Sequence, residues 1–212
     1  MKLHVVDGSP TARRVQAVIN HLGLRVEYVT HDLFKGELRD PQYLALNPNA
    51  TAPTLVDGSF VLWESVAIMQ YLADKAGDAK LFPRDLQQRA EVVRWQCWQL
   101  AHFNRAVGEL AFEIVAKGSR GLEPDQEKIA SARERVAKFA PVLDAHMADR
   151  RYLVSDHITI ADYSMIAFEA YRTKLPFDWQ PYSNLNAYFD RMHTVDAWVR
   201  AQDSVVPVTR AA

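Results

Sequence analysis

Cysteine is nearly absent from this chain of 212 residues, with Cys97 standing alone. A single thiol excludes an internal disulfide, a Cys-x-x-Cys redox pair and a cysteine-based zinc site. Long apolar runs are missing too. None approaches the ~20 residues needed to cross a bilayer, and the opening MKLHVVDGSP lacks the apolar centre of a secretory leader, so the expected location is the cytoplasm. Neither sign of charge dominates: 25 Lys and Arg stand against 26 Asp and Glu, with no basic block. That balance leaves no electrostatic footprint for nucleic acid or an anionic membrane. Low-complexity tracts and repeats of solenoid period are also lacking. The histidines His4, His21, His31, His102, His146, His157 and His193 show no i, i+4 pairing or carboxylate spacing, so no metal site is expected.

What is present is 49% hydrophobic and 24% charged, enough to fill the core of one or two domains, and its patterning changes along the chain. KLHVV (2–6) reads as a strand. ARRVQAVINHLG places Val15, Val18, Ile19 and Leu22 on one helical face and stops at Gly23. RVEYVTHDL reads as a second strand and DPQYLALNP as a short helix closed by Pro48. In PTLVDGSFVLWES, Thr54–Val56 and Phe60–Leu62 flank Asp57-Gly58, a strong hairpin signal. SVAIMQYLADKAG is a third helix ending at Gly77. The order βαβαββα predicts two parallel strands joined through a helix plus an antiparallel hairpin, a small mixed sheet covered by helices over 1–77. A linker is expected over 78–85.

Beyond Asp85 no strand pattern follows, and an all-helical domain is expected over 86–212. Its long first helix places Val93, Cys97, Leu100, Val107, Ala111 and Ile114 at heptad-like spacing, an expected buried stripe that takes the thiol inside. Trp95, Trp98, His102, Arg105, Glu109 and Phe112 fall on the opposite face. Pro141 is expected to kink a later helix. In SDHITIADYSM, Thr159 and Asp162 form a capping-box variant, with Ile158 placed to staple onto Tyr163, a structural rather than a chemical motif.

Three local signals have two readings each. Pro53, just before a strand, is by default a trans proline at an edge. Glu64-Ser65 at a helix start is either a cap or, through the free N–H groups there, an anion site. Ser9-Pro10 is a good N-cap with proline at the first helical position.

NPNATAPTLVDGSFVLWESVAIMQYLAD resembles the core of a glutathione transferase amino-terminal domain. The likeness rests on Asn-Pro, a proline before a strand, an Asp-Gly hairpin, Glu-Ser at a helix start and an Ala-Ile-x-x-Tyr-Leu run, and it extends more weakly over nearly the whole chain. It implies the glutathione transferase fold, a thioredoxin-like domain followed by an all-helical one. It also implies a cis bond before Pro53, with the Ala52 backbone pairing with the cysteinyl part of glutathione as in strand addition. The Ser65 hydroxyl and N–H are implied to meet the γ-glutamyl carboxylate and Glu64 the α-amino group.

Ser9, in Ser-x-x-x-Arg-Arg-Val, is similar to the serine of the phi and theta classes, which donates a hydrogen bond to the glutathione thiolate. A donor at a helix N-terminus lowers a thiol pKa from ~8.5, leaving the bound sulfur as the nucleophile. Thr11 is the rival hydroxyl. No tyrosine lies between Met1 and Glu27, so the tyrosine-dependent branches fit poorly, and mid-helix Cys97 does not suit the cysteine-dependent ones. One departure stands out: KGELRDP puts Leu38 where phi and theta members carry a histidine for the glycine carboxylate. Arg39 or Lys35 would supply the charge instead, or remain solvated. Thr51 replaces a longer polar residue and offers its hydroxyl. By analogy Trp95, Trp98, His102, Arg105 and Phe112 lie near the electrophile or the partner subunit, with core packing as the plain alternative. The resemblance thus implies a cytoplasmic, homodimeric detoxification enzyme that conjugates glutathione, its co-substrate, to hydrophobic electrophiles without a metal. A glutathione-dependent dehalogenase or isomerase, or a non-catalytic binding or assembly module kept open by Leu38, are the alternatives.

Overall fold

The computed structural model describes residues 1–203, in two compact units. One comprises Met1–Phe82 with the segment from Thr194 onward, and the other spans Pro83–His193.

The first unit runs β1 (Lys2–Val6), α1 (Pro10–Leu22), β2 (Glu27–His31), a 3-10 turn (Glu37–Arg39), α2 (Pro41–Leu44), β3 (Thr54–Asp57), β4 (Phe60–Trp63) and α3 (Ser65–Ala76). The strands lie in the order β2-β1-β3-β4, parallel between β1 and β2 and antiparallel elsewhere. Strand alternation divides β1: Leu3 and Val5 are buried, while Lys2 and His4 face the other side. Val15, Val18 and Ile19 of α1 and Ile68, Met69 and Leu72 of α3 complete the same core. The hairpin differs from expectation by one residue. Asp57 stays in β3, paired with Phe60, so the loop is Gly58-Ser59, and Gly58 carries the positive φ of 63° at its first position.

The expected domain limits also shift. Leu81 and Phe82 of the expected linker are buried. The last described helix, α9 (Asp196–Asp203), lies along α1 rather than with the helical unit. There the Arg13 guanidinium sits 3.9 Å over the buried Trp198 ring and donates to the Trp198 carbonyl, while Asn20 Nδ2 donates to the Ala197 carbonyl at 3.2 Å. Residues 204–212 of the expected 86–212 domain lie outside the described residues.

The second unit contains α4 (Leu86–Trp98), a π turn (Gln99–Phe103), α5 (Asn104–Ala111), a second π turn (Phe112–Ala116), and α6 (Gln126–His146), continuous through Pro141. It continues with α7 (Ile160–Met165), a 3-10 stretch (Ile166–Lys174) and α8 (Ser183–Met192). The heptad reading of the long helix is corrected here: Cys97 is exposed and Leu100 is 43% exposed. Two causes combine. Each π turn inserts a residue and so rotates the face that follows. In addition, polar side chains occupy the interior, because they satisfy one another. Gln96 Nε2 donates to Ser164 Oγ at 3.1 Å, and Asn104 Nδ2 donates to Gln99 Oε1 at 2.6 Å and to the Ser164 carbonyl at 2.9 Å.

The cap of α7 has the expected partners and more. The fully buried Asp162 accepts from Thr159 N at 2.8 Å, Thr159 Oγ1 at 3.0 Å, Leu153 N at 2.9 Å and Tyr188 Oη at 3.1 Å. No helix among the described residues is long and apolar enough to cross a membrane.

Candidate active site

Strand register brings three chain ends to one edge of the first unit. His4 pairs with Thr54, so the exit of β1 towards Ser9 lies beside the entry to β3 at Ala52-Pro53. Thr54 also pairs with Trp63, which sets Glu64-Ser65 next to the same entry. Residues distant in sequence, Ser9 and Thr11, Thr51 to Pro53, and Glu64 and Ser65, thereby share one rim.

At the first end, Ser9 caps α1, its Oγ accepting from Ala12 N at 3.4 Å. The two rival hydroxyls touch: Ser9 Oγ and Thr11 Oγ1 are 2.9 Å apart, and Thr11 Oγ1 donates to the Ala52 carbonyl at 3.4 Å. A hydroxyl has one proton. With that of Thr11 directed to Ala52, the Ser9–Thr11 contact carries the Ser9 proton.

The second end is held from beneath. Ala52–Pro53 is a cis peptide and Pro53 is buried. The Thr51 carbonyl accepts from Tyr43 Oη at 2.5 Å and Asn47 Nδ2 at 2.8 Å; Asn47 Nδ2 also donates to Thr54 Oγ1, whose own proton goes to Tyr43 Oη. Thr51 itself is exposed. Burial pushes the Tyr43 hydroxyl pKa up, which keeps it a neutral donor.

At the third end the capping reading does not hold for Glu64. Its side chain makes no cap hydrogen bond to α3, and its backbone adopts φ 71°, a left-handed conformation uncommon outside glycine. Ser65 is buried, and Arg14 grips its hydroxyl, Nε at 2.9 Å and Nη2 at 2.5 Å from Oγ. Arg14 is only 2% exposed, and burial lowers its pKa to about 10 against the opposing pull of Glu64, so it stays charged at neutral pH. The Ser65 oxygen thus accepts from a cation and has its own proton left to give.

Arg14, Tyr43 and Asn47 were not among the expected site residues. Arg14 carried a signal, since it stands four residues before Val18 on the apolar face of α1, where an unmatched arginine needs a buried partner. Tyr43 and Asn47 carried only i, i+4 spacing. Leu38 is 3% exposed within the 3-10 turn, and Arg39 and Lys35 are exposed, with Lys35 3.8 Å from Asp32.

Of the five side chains expected near an electrophile, three are joined by ring contacts, Trp95 to Trp98 and Trp98 to His102. Trp95 is buried, and with Trp98, Arg94, Val142, Ala145 and His146 it lines a recess of about 500 Å³ in the helical unit. His102 stacks on Phe139, 4.7 Å between centroids. Arg105 and Phe112 are exposed and do not join the recess. Among the described residues no group of three or more His, Cys, Asp or Glu is arranged to hold a metal ion.

A four-stranded sheet with a hydroxyl pair at the first helix and a cis-proline-led strand beside an arginine-gripped serine places the first unit in the thioredoxin-like class. The family model described as glutathione S-transferase, N-terminal domain, matches residues 3–80, and the one described as glutathione S-transferase, C-terminal domain, matches residues 98–195. The chain belongs to the glutathione S-transferase family. It is 36% identical to glutathione S-transferase 3 of Zea mays over 76% of this chain and 73% of that protein. It is 30% identical to a glutathione S-transferase of Hyoscyamus muticus over 95% of this chain and 97% of that one. Among solved structures, the theta class glutathione S-transferase of Xanthomonas axonopodis pv. citri, with glutathione bound, superposes with a TM-score of 0.85 at 28% identity, covering 94% of this chain and 95% of that one.

Proposed function

We propose that this glutathione transferase binds glutathione along the rim formed by Ser9, Ala52-Pro53 and Glu64-Ser65, and conjugates it to an electrophilic small molecule. The observation that carries the reading is the convergence of the Ser9–Thr11 hydroxyl pair with an Arg14-braced Ser65 on one strand entry.

The tripeptide adds to β3 through the Ala52 backbone. Its γ-glutamyl carboxylate meets the start of α3, where the Ser65 hydroxyl donates, N–H groups point outward and the buried Arg14 charge adds attraction. The exposed Glu64 carboxylate takes the α-amino group. The glycine carboxylate finds Arg39 or Lys35, with the Thr51 hydroxyl as a further contact, because Leu38 turns inward to the core. Ser9 then redirects its proton from Thr11 to the sulfur. This donor, together with the N-terminus of α1, favours thiolate over thiol. The thiolate attacks the electrophilic carbon, and the displaced group leaves with its bonding electrons. Lowered thiol pKa and the proximity of sulfur to electrophile supply the acceleration. No metal is required. The working form is a cytoplasmic homodimer.

The test is an ultraviolet thiolate titration of bound glutathione in wild type, Ser9→Ala and Thr11→Val. Loss of one hydrogen bond to a charged group, about 1.5–3 kcal/mol, raises the bound thiol pKa by roughly 1–2 units in Ser9→Ala and little in Thr11→Val. The reverse order transfers the role to Thr11. No retention of wild type on immobilised glutathione defeats the whole reading.

A further inference from the structure

His4 and His31 lie 27 residues apart in sequence, yet β1 and β2 bring them into contact on the sheet face opposite the apolar core. His4 Nδ1 and His31 Nε2 are 2.8 Å apart, and the rings stack with centroids 5.1 Å apart. Such a contact needs one proton between two nitrogens. It survives the first added proton, when a charged ring donates to a neutral one, but not the second, which removes the acceptor and sets two like charges side by side.

The surroundings decide which ring charges first. Burial opposes charging at both. His31 faces the carboxylates of Glu37, in the 3-10 turn, and Asp40, at the start of α2, which favour its charged form. His4 faces Lys2 on its own strand and His31 itself, with Glu27 of β2 as the opposing carboxylate. His31 is therefore the ring that charges first and His4 the one that resists.

The pair also has a listener. The Tyr43 ring packs on both, 4.7 Å from His31 and 5.7 Å from His4, and its hydroxyl holds the Thr51 carbonyl at 2.5 Å. Thr51 precedes the Ala52-Pro53 entry. The two strands are fixed by their ladder from Lys2–Glu27 to Val6–His31, so repulsion between the rings falls on Tyr43 and α2 rather than on the sheet.

We propose that His4, His31 and Tyr43 form an acid-sensitive latch on the glutathione loop, in which the second protonation of the histidine pair releases Tyr43 from Thr51 and weakens glutathione binding. The proposal rests on the reading of the Ala52-Pro53 entry as the glutathione site. By linkage, a ligand seated there opposes that second protonation to the same degree.

S-Methylglutathione, which has no thiol to titrate, is the probe, with calorimetric affinities measured between pH 7.5 and 5.0. Both rings titrate below the ordinary histidine value of 6.5, so wild type is expected to weaken as pH falls below 6.5, by up to about tenfold per pH unit for one proton taken up. His31→Gln and His4→Asn keep a hydrogen-bonding nitrogen near the lost one without a second charge, and are expected to stay within about twofold. Tyr43→Phe keeps the ring but cuts the link, giving weaker and pH-independent binding. Unchanged wild-type affinity across the range, or an equal slope in both histidine variants, overturns the latch. Failure of wild type to bind at pH 7.5 defeats the glutathione reading instead. The latch is then judged in the free protein by NMR. Tyr43 and Thr51 resonances titrating with the His4 ring support it, and resonances that stay still overturn it.

Discussion

Replacing Asp162 with alanine should unfold this protein far more readily while leaving the reacting groups intact. Four donors converge on this carboxylate, two of them backbone N–H groups, and the residue is fully buried. Burial pushes its pKa up while the four hydrogen bonds pull it down, so the carboxylate is held by its partners and not by solvent. Without it, Leu153 N, Thr159 N and the Tyr188 hydroxyl lose a partner in a place water does not reach. Orphaning three buried donors at roughly 1–3 kcal/mol each, with partial relaxation, costs about 3–5 kcal/mol, well above the ~1 kcal/mol of a simple cap. With a urea slope near ~2 kcal/mol per molar, the midpoint falls by roughly 1.5–2.5 M, measurable by tryptophan fluorescence and circular dichroism. A cycle with Tyr188→Phe sharpens the test. That change costs about 1 kcal/mol in wild type, where it removes one of four bonds, and close to nothing in Asp162→Ala, where it removes an orphaned hydroxyl. Wild-type stability in Asp162→Ala, or normal stability with lost activity, would refute the assignment.

Three further outcomes follow from the same geometry. Arg14→Gln should weaken S-methylglutathione binding about 10- to 100-fold by calorimetry, through loss of the charge-assisted grip on Ser65; affinity equal to wild type removes Arg14 from the site. Folding stability should decline below pH 6.5, because burial lowers the pKa of His4, His21, His31 and His146 from their ordinary 6.5. The unfolded chain then binds more protons below that pH, so this stability is complete above 6.5 and lost as pH falls through the folded values; a flat urea midpoint from pH 7.5 to 5.0 contradicts it. Cys97 should react stoichiometrically with a thiol reagent in the native protein, and a thiol that reacts only in denaturant would return it to the interior.

Local order was well marked in the sequence. Ser9-Pro10 and Gly23 bound α1, Thr159 with Asp162 opens α7, and the strand and helix order of the first unit follows from period and punctuation alone. What failed to show were partnerships made by folding. The grip of Arg14 on Ser65 spans 51 residues, and the meeting of His4 with His31 depends on strand register. The long helix misled for a different reason: its inward face is lined by Gln96, Gln99 and Asn104, so a rule that places apolar residues inside selected Cys97 and Leu100. Glu64 and Ser65 looked alike as caps until the backbone turned one outward and the other in.

The return of α9 to α1 has a consequence for biogenesis. The first unit is discontinuous in sequence: its sheet is complete by Phe82, yet the outer side of α1 awaits Trp198, some 120 residues later. At a synthesis rate of about 5–20 residues per second, that side of the nascent unit stays bare for roughly 6–24 s while the helical unit emerges. The last helix among the described residues thus covers the first, α1.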